Sequence, residues 1–242
     1  MSFYEELSKY YKYIFPLNND TLKFLKENLH TENKILDIAC GSGEYTLGLT
    51  KDNINTEGID LDKEMIKKAR DKAQRENLEA NFKVANMTLL KESFHAESFH
   101  SAFCIGNSLV HLNSKDEINS FLCSLNYILS SKGRLVIQIV NYDRILKKHI
   151  SSLPTITNKE AGVEFIRNYI PSGDKITFNT ILKTQDSGEF ENNIDLLPLQ
   201  HKELMEMLND NGFKVLGTYG TFKGSPFLPL ESMAFIVTCE KL

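Results

Sequence analysis

Leu36-Asp37-Ile38-Ala39-Cys40-Gly41-Ser42-Gly43 is the stretch on which the fold turns. A short apolar run over 35–39 has the length of a buried strand and ends in a glycine-rich turn. Residues 56–60 read as a second strand, and Met65, Ile66, Ala69 and Ala73 mark one face of a following helix. Further strands are predicted over 81–85, 101–105 and 134–140. Between the last two, Ile118, Phe121, Leu122, Leu125, Ile128 and Leu129 form a helical stripe, which Gly133 is expected to end as a left-handed cap. Strands alternating with helices imply a parallel sheet covered on both faces.

The flanks read differently. Residues 1–33 are expected to form a helical cap carrying Tyr4, Tyr10, Tyr11, Tyr13 and Phe15, with Asn19-Asp20-Thr21 as N-cap candidates for a helix that presents Leu22, Leu25 and Leu29. After the core at 34–150, the rhythm changes. Strand-like segments at 163–170, 176–184 and 190–197 are joined by Pro171-Ser172-Gly173-Asp174 and Gln185-Asp186-Ser187-Gly188. They predict an antiparallel lid over 151–200. In 201–242, Leu204, Met207 and Leu208 mark a last helix ended by Gly212, and 213–219 and 233–239 form a closing pair of strands. The predicted class is thus α/β: a doubly wound, Rossmann-like, mostly parallel sheet of seven strands, helices on both faces, and a small β lid after strand 5. The loop 220–232, with Phe222 and Phe227, is long enough to imply a role in shaping a pocket.

Composition narrows the function. The 242 residues are 41% hydrophobic and 25% charged, enough for a real core. No apolar run approaches a membrane span, and the opening Met1-Ser2-Phe3-Tyr4-Glu5-Glu6 has no signal-peptide character, so a cytoplasmic protein without membrane partners is expected. A net charge of −4 favours a small-molecule partner over nucleic acid. Cys40, Cys104, Cys123 and Cys239 have no paired spacing, and His30, His95, His100, His149 and His201 lack metal-ligand spacing. No zinc site or disulfide is expected, and those five histidines read as surface residues.

The glycine turn lets a ligand approach the backbone. Asp60, seventeen residues after Gly43 and at the tip of the second strand, can accept both hydroxyl protons of a ribose. Gly41-Ser42-Gly43-Glu44-Tyr45-Thr46 lacks the third glycine of a dinucleotide fingerprint, so the close helix–strand packing of that motif is not expected. Glu44 stands where a pyrophosphate prefers a bare helix N-terminus. An adenosine cofactor without phosphate, S-adenosylmethionine, fits better.

These segments resemble the class I S-adenosylmethionine-dependent methyltransferases, and more narrowly glycine N-methyltransferase and its small-molecule relatives. The likeness rests on Asp37–Gly43, Gly58-Ile59-Asp60, Ala85-Asn86-Met87, the run Cys104-Ile105-Gly106-Asn107-Ser108-Leu109-Val110-His111-Leu112, and Asn141-Tyr142-Asp143-Arg144-Ile145-Leu146, and it covers 34–148 best. It implies that Asp37, Ala39, Gly41, Ser42 and Gly43 surround the methionine part of the cofactor. Asp60 would hold the ribose, with Leu61 and Met65 against the adenine and Asn86 and Met87 at its edge. Ile105, Gly106, Asn107 and His111 would pass under the sulfonium, and Tyr11 would close over it. His111 and Tyr142 are the candidate catalytic groups should a general base be used.

Three departures qualify the match. Ala39 and Asn86 stand where the wider class more often has Gly and Asp. Val140 stands where the family's substrate-gripping arginine precedes Asn-Tyr-Asp, which argues against glycine as acceptor. No arginine precedes Arg70, so the family's clamp on the cofactor carboxylate is expected to be missing or replaced by Lys23 or Lys26. The expected activity is methyl transfer to a small molecule, with an amine favoured by the resemblance. O-methylation, tRNA modification and a non-catalytic S-adenosylmethionine sensor are the alternatives.

Overall fold

A computed structural model describes residues 3–242, apart from the side chain of Tyr4; Met1 and Ser2 of the expected cap lie outside the described residues. The N-terminal part holds α1 (Phe3–Ile14) and α2 (Asn19–Asn28). The core runs β1 (Ile35–Ile38), α3 (Glu44–Lys51), β2 (Thr56–Asp60), α4 (Lys63–Arg75), β3 (Asn81–Val84), α5 (Leu90–Ser93), β4 (Phe99–Cys104), α6 (Lys115–Ile128), β5 (Leu129–Val140) and α7 (Tyr142–Lys148). Then come β6 (Ser152–Asn158), β7 (Val163–Ser172), β8 (Lys175–Thr184), β9 (Gly188–Leu196), α8 (His201–Asp210), β10 (Phe213–Tyr219) and β11 (Ala234–Lys241).

The first sheet has seven strands in the order β10-β11-β5-β4-β1-β2-β3. The strands from β1 to β5 pair in parallel, and β11 runs antiparallel between β5 and β10. The order reverses between β1 and β4, which opens a crevice at their carboxyl ends. Strand β1 is buried along its whole length, as expected of a central strand whose Ile35, Leu36 and Ile38 are apolar, with Asp37 buried among them. Met65, Ile66, Ala69 and Ala73 are the buried face of α4, and Leu204, Met207 and Leu208 that of α8.

The second sheet, β6-β7-β8-β9, is wholly antiparallel. Its first strand has no counterpart in the sequence reading. Pro154 and the polar residues around it obscure the alternation, and they suit an edge strand. Helix α1 docks on this sheet: Leu7 and Ile14 are buried with Val163, Phe165 and Leu182. Cap and lid thus share one apolar cluster.

Three local readings need correction. Helix α6 ends at Leu129, which is already extended, and not at Gly133. Lys132 takes the left-handed conformation (φ 60°), and Gly133 lies inside β5. The N-cap of α2 is Asn18, whose Oδ1 accepts from the backbone N–H of Asp20 and Thr21. The close packing thought absent without a third glycine is supplied by Gly43 and Gly58. A Cβ on either would lie 2.7 or 2.8 Å from the Phe82 ring.

Candidate active site

The crevice opens into a cavity of about 650 Å³, within the range of small-ligand sites. The core contributes its floor from the carboxyl ends of β1, β2, β3 and β4, and α1 and the antiparallel sheet form the opposite wall. Asp60 ends β2 at the cavity surface. Its Oδ2 accepts from the Gly41 N–H at 2.8 Å and its Oδ1 from the Asp62 N–H at 2.9 Å. Each oxygen is thereby aimed, with lone-pair capacity remaining for a ribose hydroxyl. Burial raises the Asp60 carboxyl above its usual range, and the two N–H donors act against that rise.

Ala39 and Gly41 continue the floor. Ala39 has φ 58°, a conformation that disfavours a Cβ, which gives a physical reason for glycine being commoner there in the wider class. At Gly41 a Cβ would meet the Tyr11 phenol oxygen at 3.2 Å, so the bare backbone lets Tyr11 settle over the turn. Leu61, 69% exposed, and buried Met65 form an apolar wall beside Asp60, with Asn86 and Met87 next to them. Asn86 turns its Oδ1 back to accept from the Thr88 N–H and hydroxyl. Gly106 and His111 line the far side, and a Cβ on Gly106 would have nothing within 4 Å. Burial lowers the His111 pKa, which keeps the ring neutral at physiological pH.

Six sequence candidates are not part of the cavity surface. Asp37 is buried and accepts from the Thr46 hydroxyl at 2.7 Å; burial raises its carboxyl to about 7. It ties β1 to α3. Ser42 is buried and donates to Glu44, which pairs with Lys72. Gly43 starts α3 with φ 81° against Phe82. Ile105 packs in a core cluster. Asn107 braces β4 to β5: its Oδ1 accepts from the Val140 N–H at 2.9 Å, and its amide donates to the Tyr142 oxygen at 3.1 Å. Tyr142 is fully buried, and burial drives its phenol far above the range in which it could serve as a base.

The Asn141-Tyr142-Asp143 stretch is a scaffold. Asn141 caps α7 and donates to the carbonyls of Pro229 and Ser232, which pins the 220–232 loop. That loop, expected to shape the pocket, contributes no cavity residue; Phe227 packs instead on His201 and Phe235. His201 is not a surface residue, since its Nδ1 lies 2.8 Å from Asp143 and its side chain is largely covered. Lys23 and Lys26 pair with Glu27 and Asp52 and do not reach the cavity.

The sequence reading missed Phe3, Leu7, Asp62, Ser108 and Leu112, and from the antiparallel sheet Phe165, Phe178, Thr180, Asn192 and Ile194. Alternation in β8 groups Phe178 with Thr180, but it does not say which face meets the core.

The cavity suits S-adenosylmethionine. Among the described residues its charged members are Asp60 and Asp62, with no Lys or Arg to receive a phosphate. An adenosine ligand with a cationic sulfonium fits that balance, and the Tyr11 and Phe15 rings, 5.1 Å apart, both belong to the cavity wall.

Residues 35–133 match a family described as a methyltransferase domain. A glycine/sarcosine N-methyltransferase of Aphanothece halophytica is 25% identical over 203 residues, covering 84% of this chain and 73% of that protein. A rat glycine N-methyltransferase is 32% identical over 127 residues, 48% of this chain and 43% of that protein. An S-adenosylmethionine-dependent methyltransferase structure from Clostridium acetobutylicum shares the fold, with a TM-score of 0.83 at 15% identity over 98% of both chains. No helix of the described residues is long and apolar enough to cross a membrane. Sheet order, crevice and the methyltransferase-domain match over residues 35–133 agree on an S-adenosylmethionine-dependent methyltransferase.

Proposed function

We propose that the enzyme methylates the nitrogen of a small-molecule amine. The observation that carries this is the chamber between Gly106 and His111 on one side and Phe165, Phe178 and Thr180 on the other. It is walled by the chain's own cap and lid, so it admits a small molecule in preference to a nucleotide held within tRNA. The named activities of the glycine/sarcosine relatives favour nitrogen as the nucleophile.

When bound, the cofactor would supply an electrophilic methyl group to the amine's lone pair, with the electron pair of its C–S bond leaving on sulfur and a proton released from nitrogen. Asp60 would hold the ribose, Leu61 and Met65 the adenine, and Asn86 and Met87 its edge. Tyr11 and the rest of α1 exclude water and restrict the approach to one direction, where orientation is worth up to about 7–11 kcal/mol. Neutral His111 can accept the proton that the amine releases.

Product S-adenosylhomocysteine should appear when the enzyme is incubated with S-adenosylmethionine and a panel of small primary and secondary amines, read by mass spectrometry. The rate should rise with pH, because the amine must lose its proton and His111 must be neutral. Turnover confined to phenols or to tRNA would overturn the assignment of nitrogen. Cofactor binding without turnover on any acceptor class would favour a sensor.

A further inference from the structure

Glu44 puts a carboxylate in the first turn of α3, directly after the glycine turn whose Gly41 lines the cavity. Helix α4 answers that charge. Lys72 Nζ pairs with Glu44, and it also donates to the Ser42 hydroxyl at 2.9 Å and to the Ser42 carbonyl at 3.2 Å. The Ser42 hydroxyl donates in turn to the Glu44 carboxylate at 2.9 Å. The Lys72 and Glu44 side chains are 25% and 14% exposed and Ser42 is buried, so water competes little for these bonds. Met65, Ala69 and Lys72 stand at spacings of four and three and share one face of α4. Met65 lines the cavity, Ala69 abuts Gly43 (a Cβ there would lie 3.0 Å from the alanine methyl), and Lys72 grips Ser42.

Gly41 and Gly43 both have left-handed backbone (φ 55° and 81°), and glycine enters that region with little preference of its own. The shape of the turn is therefore set by what grips it. On the cavity side the Gly41 N–H donates to Asp60. On the far side Lys72 takes both oxygens of Ser42 and ties them to Glu44. Lys72 does not line the cavity, so its influence on a ligand passes through Ser42 and Glu44.

We propose that Lys72 is a positioning residue for the cofactor: through Ser42 and Glu44 it holds the Gly41–Gly43 turn in the shape that receives the methionine end of S-adenosylmethionine. This rests on placing the methionine part at that turn and the ribose on Asp60. The pair also gives Glu44 a use, since an acid in the first turn of α3 is the anchor that a lysine on α4 needs.

The test titrates full-length enzyme with S-adenosylhomocysteine and with 5′-methylthioadenosine, which keeps the adenosine and the sulfur but lacks the amino-acid end. The parent should bind S-adenosylhomocysteine the more tightly. Lys72→Met should weaken S-adenosylhomocysteine about tenfold and 5′-methylthioadenosine by no more than about twofold, since the lost charge-assisted bonds shape only the methionine end. Lys72→Arg can still pair with Glu44 and should restore most of the difference. Ser42→Ala removes the shared hydroxyl and should lower the same ratio, which decides the matter if Lys72→Met does not fold. A Lys72→Met protein that melts lower but keeps the parent's ratio would overturn the proposal, because a merely structural role predicts that result. Equal weakening of both ligands would overturn it too. Failure of the parent to bind S-adenosylhomocysteine, or equal parent affinity for the two ligands, would instead overturn the placement of the cofactor, a separate result.

Discussion

Removal of residues 1–16 should lower turnover by at least about a hundredfold while the seven-stranded core stays folded. The large loss follows from position. Phe3, Leu7, Tyr11 and Phe15 form one wall of the cavity, and Tyr11 sits over the Gly41 turn. Without that wall, water reaches the reacting centre and the acceptor loses its fixed approach. The survival of the core follows from packing. The clusters that bury β1, β4, β5, α6 and α8 contain no residue of α1. The helix instead buries Leu7 and Ile14 against Val163, Phe165 and Leu182, with Phe15 edge-on to Phe165 at 5.7 Å. The shortened protein should keep its far-ultraviolet dichroism and a cooperative melt, with the lid sheet more exposed. Undiminished turnover would show that α1 is not part of the site.

Asp60→Ala should weaken cofactor binding by about 1.5–3 kcal/mol, roughly ten- to more than a hundredfold, the range for hydrogen bonds to a charged group. Two effects add. The carboxylate would no longer take the ribose hydroxyls, and the Gly41 and Asp62 N–H groups would lose their acceptor, loosening the turn that shapes the floor. Asp60→Asn separates them. One amide oxygen can still accept from one of the two N–H groups but offers no negative charge, so its loss should be intermediate. Calorimetric titration with S-adenosylhomocysteine reads both variants. An unchanged affinity for Asp60→Ala would place the ribose elsewhere.

The core was legible because its signals are local. The apolar run at 35–38, the glycine turn and the periodic face of α4 each depend on neighbours in sequence, and each holds in the structure. Asp60, Leu61 and Asn86 line the cavity because strand ends fix where their residues emerge, whereas Tyr11 reaches it from within α1. Errors arose where two segments far apart in sequence decide the outcome. Asp37 reads as a ligand-facing acid at the strand tip, yet Thr46 from α3 takes its oxygen. Tyr142 reads as a base, yet it is enclosed beside Asn107 and Tyr169. Gly133 looks like a helix cap, but β5 begins at Leu129, because Phe99 of β4 pairs there. The cavity-facing side of the lid was out of reach, since alternation gives two faces and only docking on α1 and the core selects between them.

The central claim is that S-adenosylmethionine lies in the crevice between β1 and β4, its ribose on Asp60 and its sulfur beneath Tyr11. A crystal structure of the enzyme grown with S-adenosylhomocysteine tests this most directly. The account predicts both ribose hydroxyls within hydrogen-bonding distance of the Asp60 carboxylate and the adenine between Leu61, Met65 and Asn86. Ligand bound at another surface, or a ribose held by a different residue with Asp60 turned away, would contradict it.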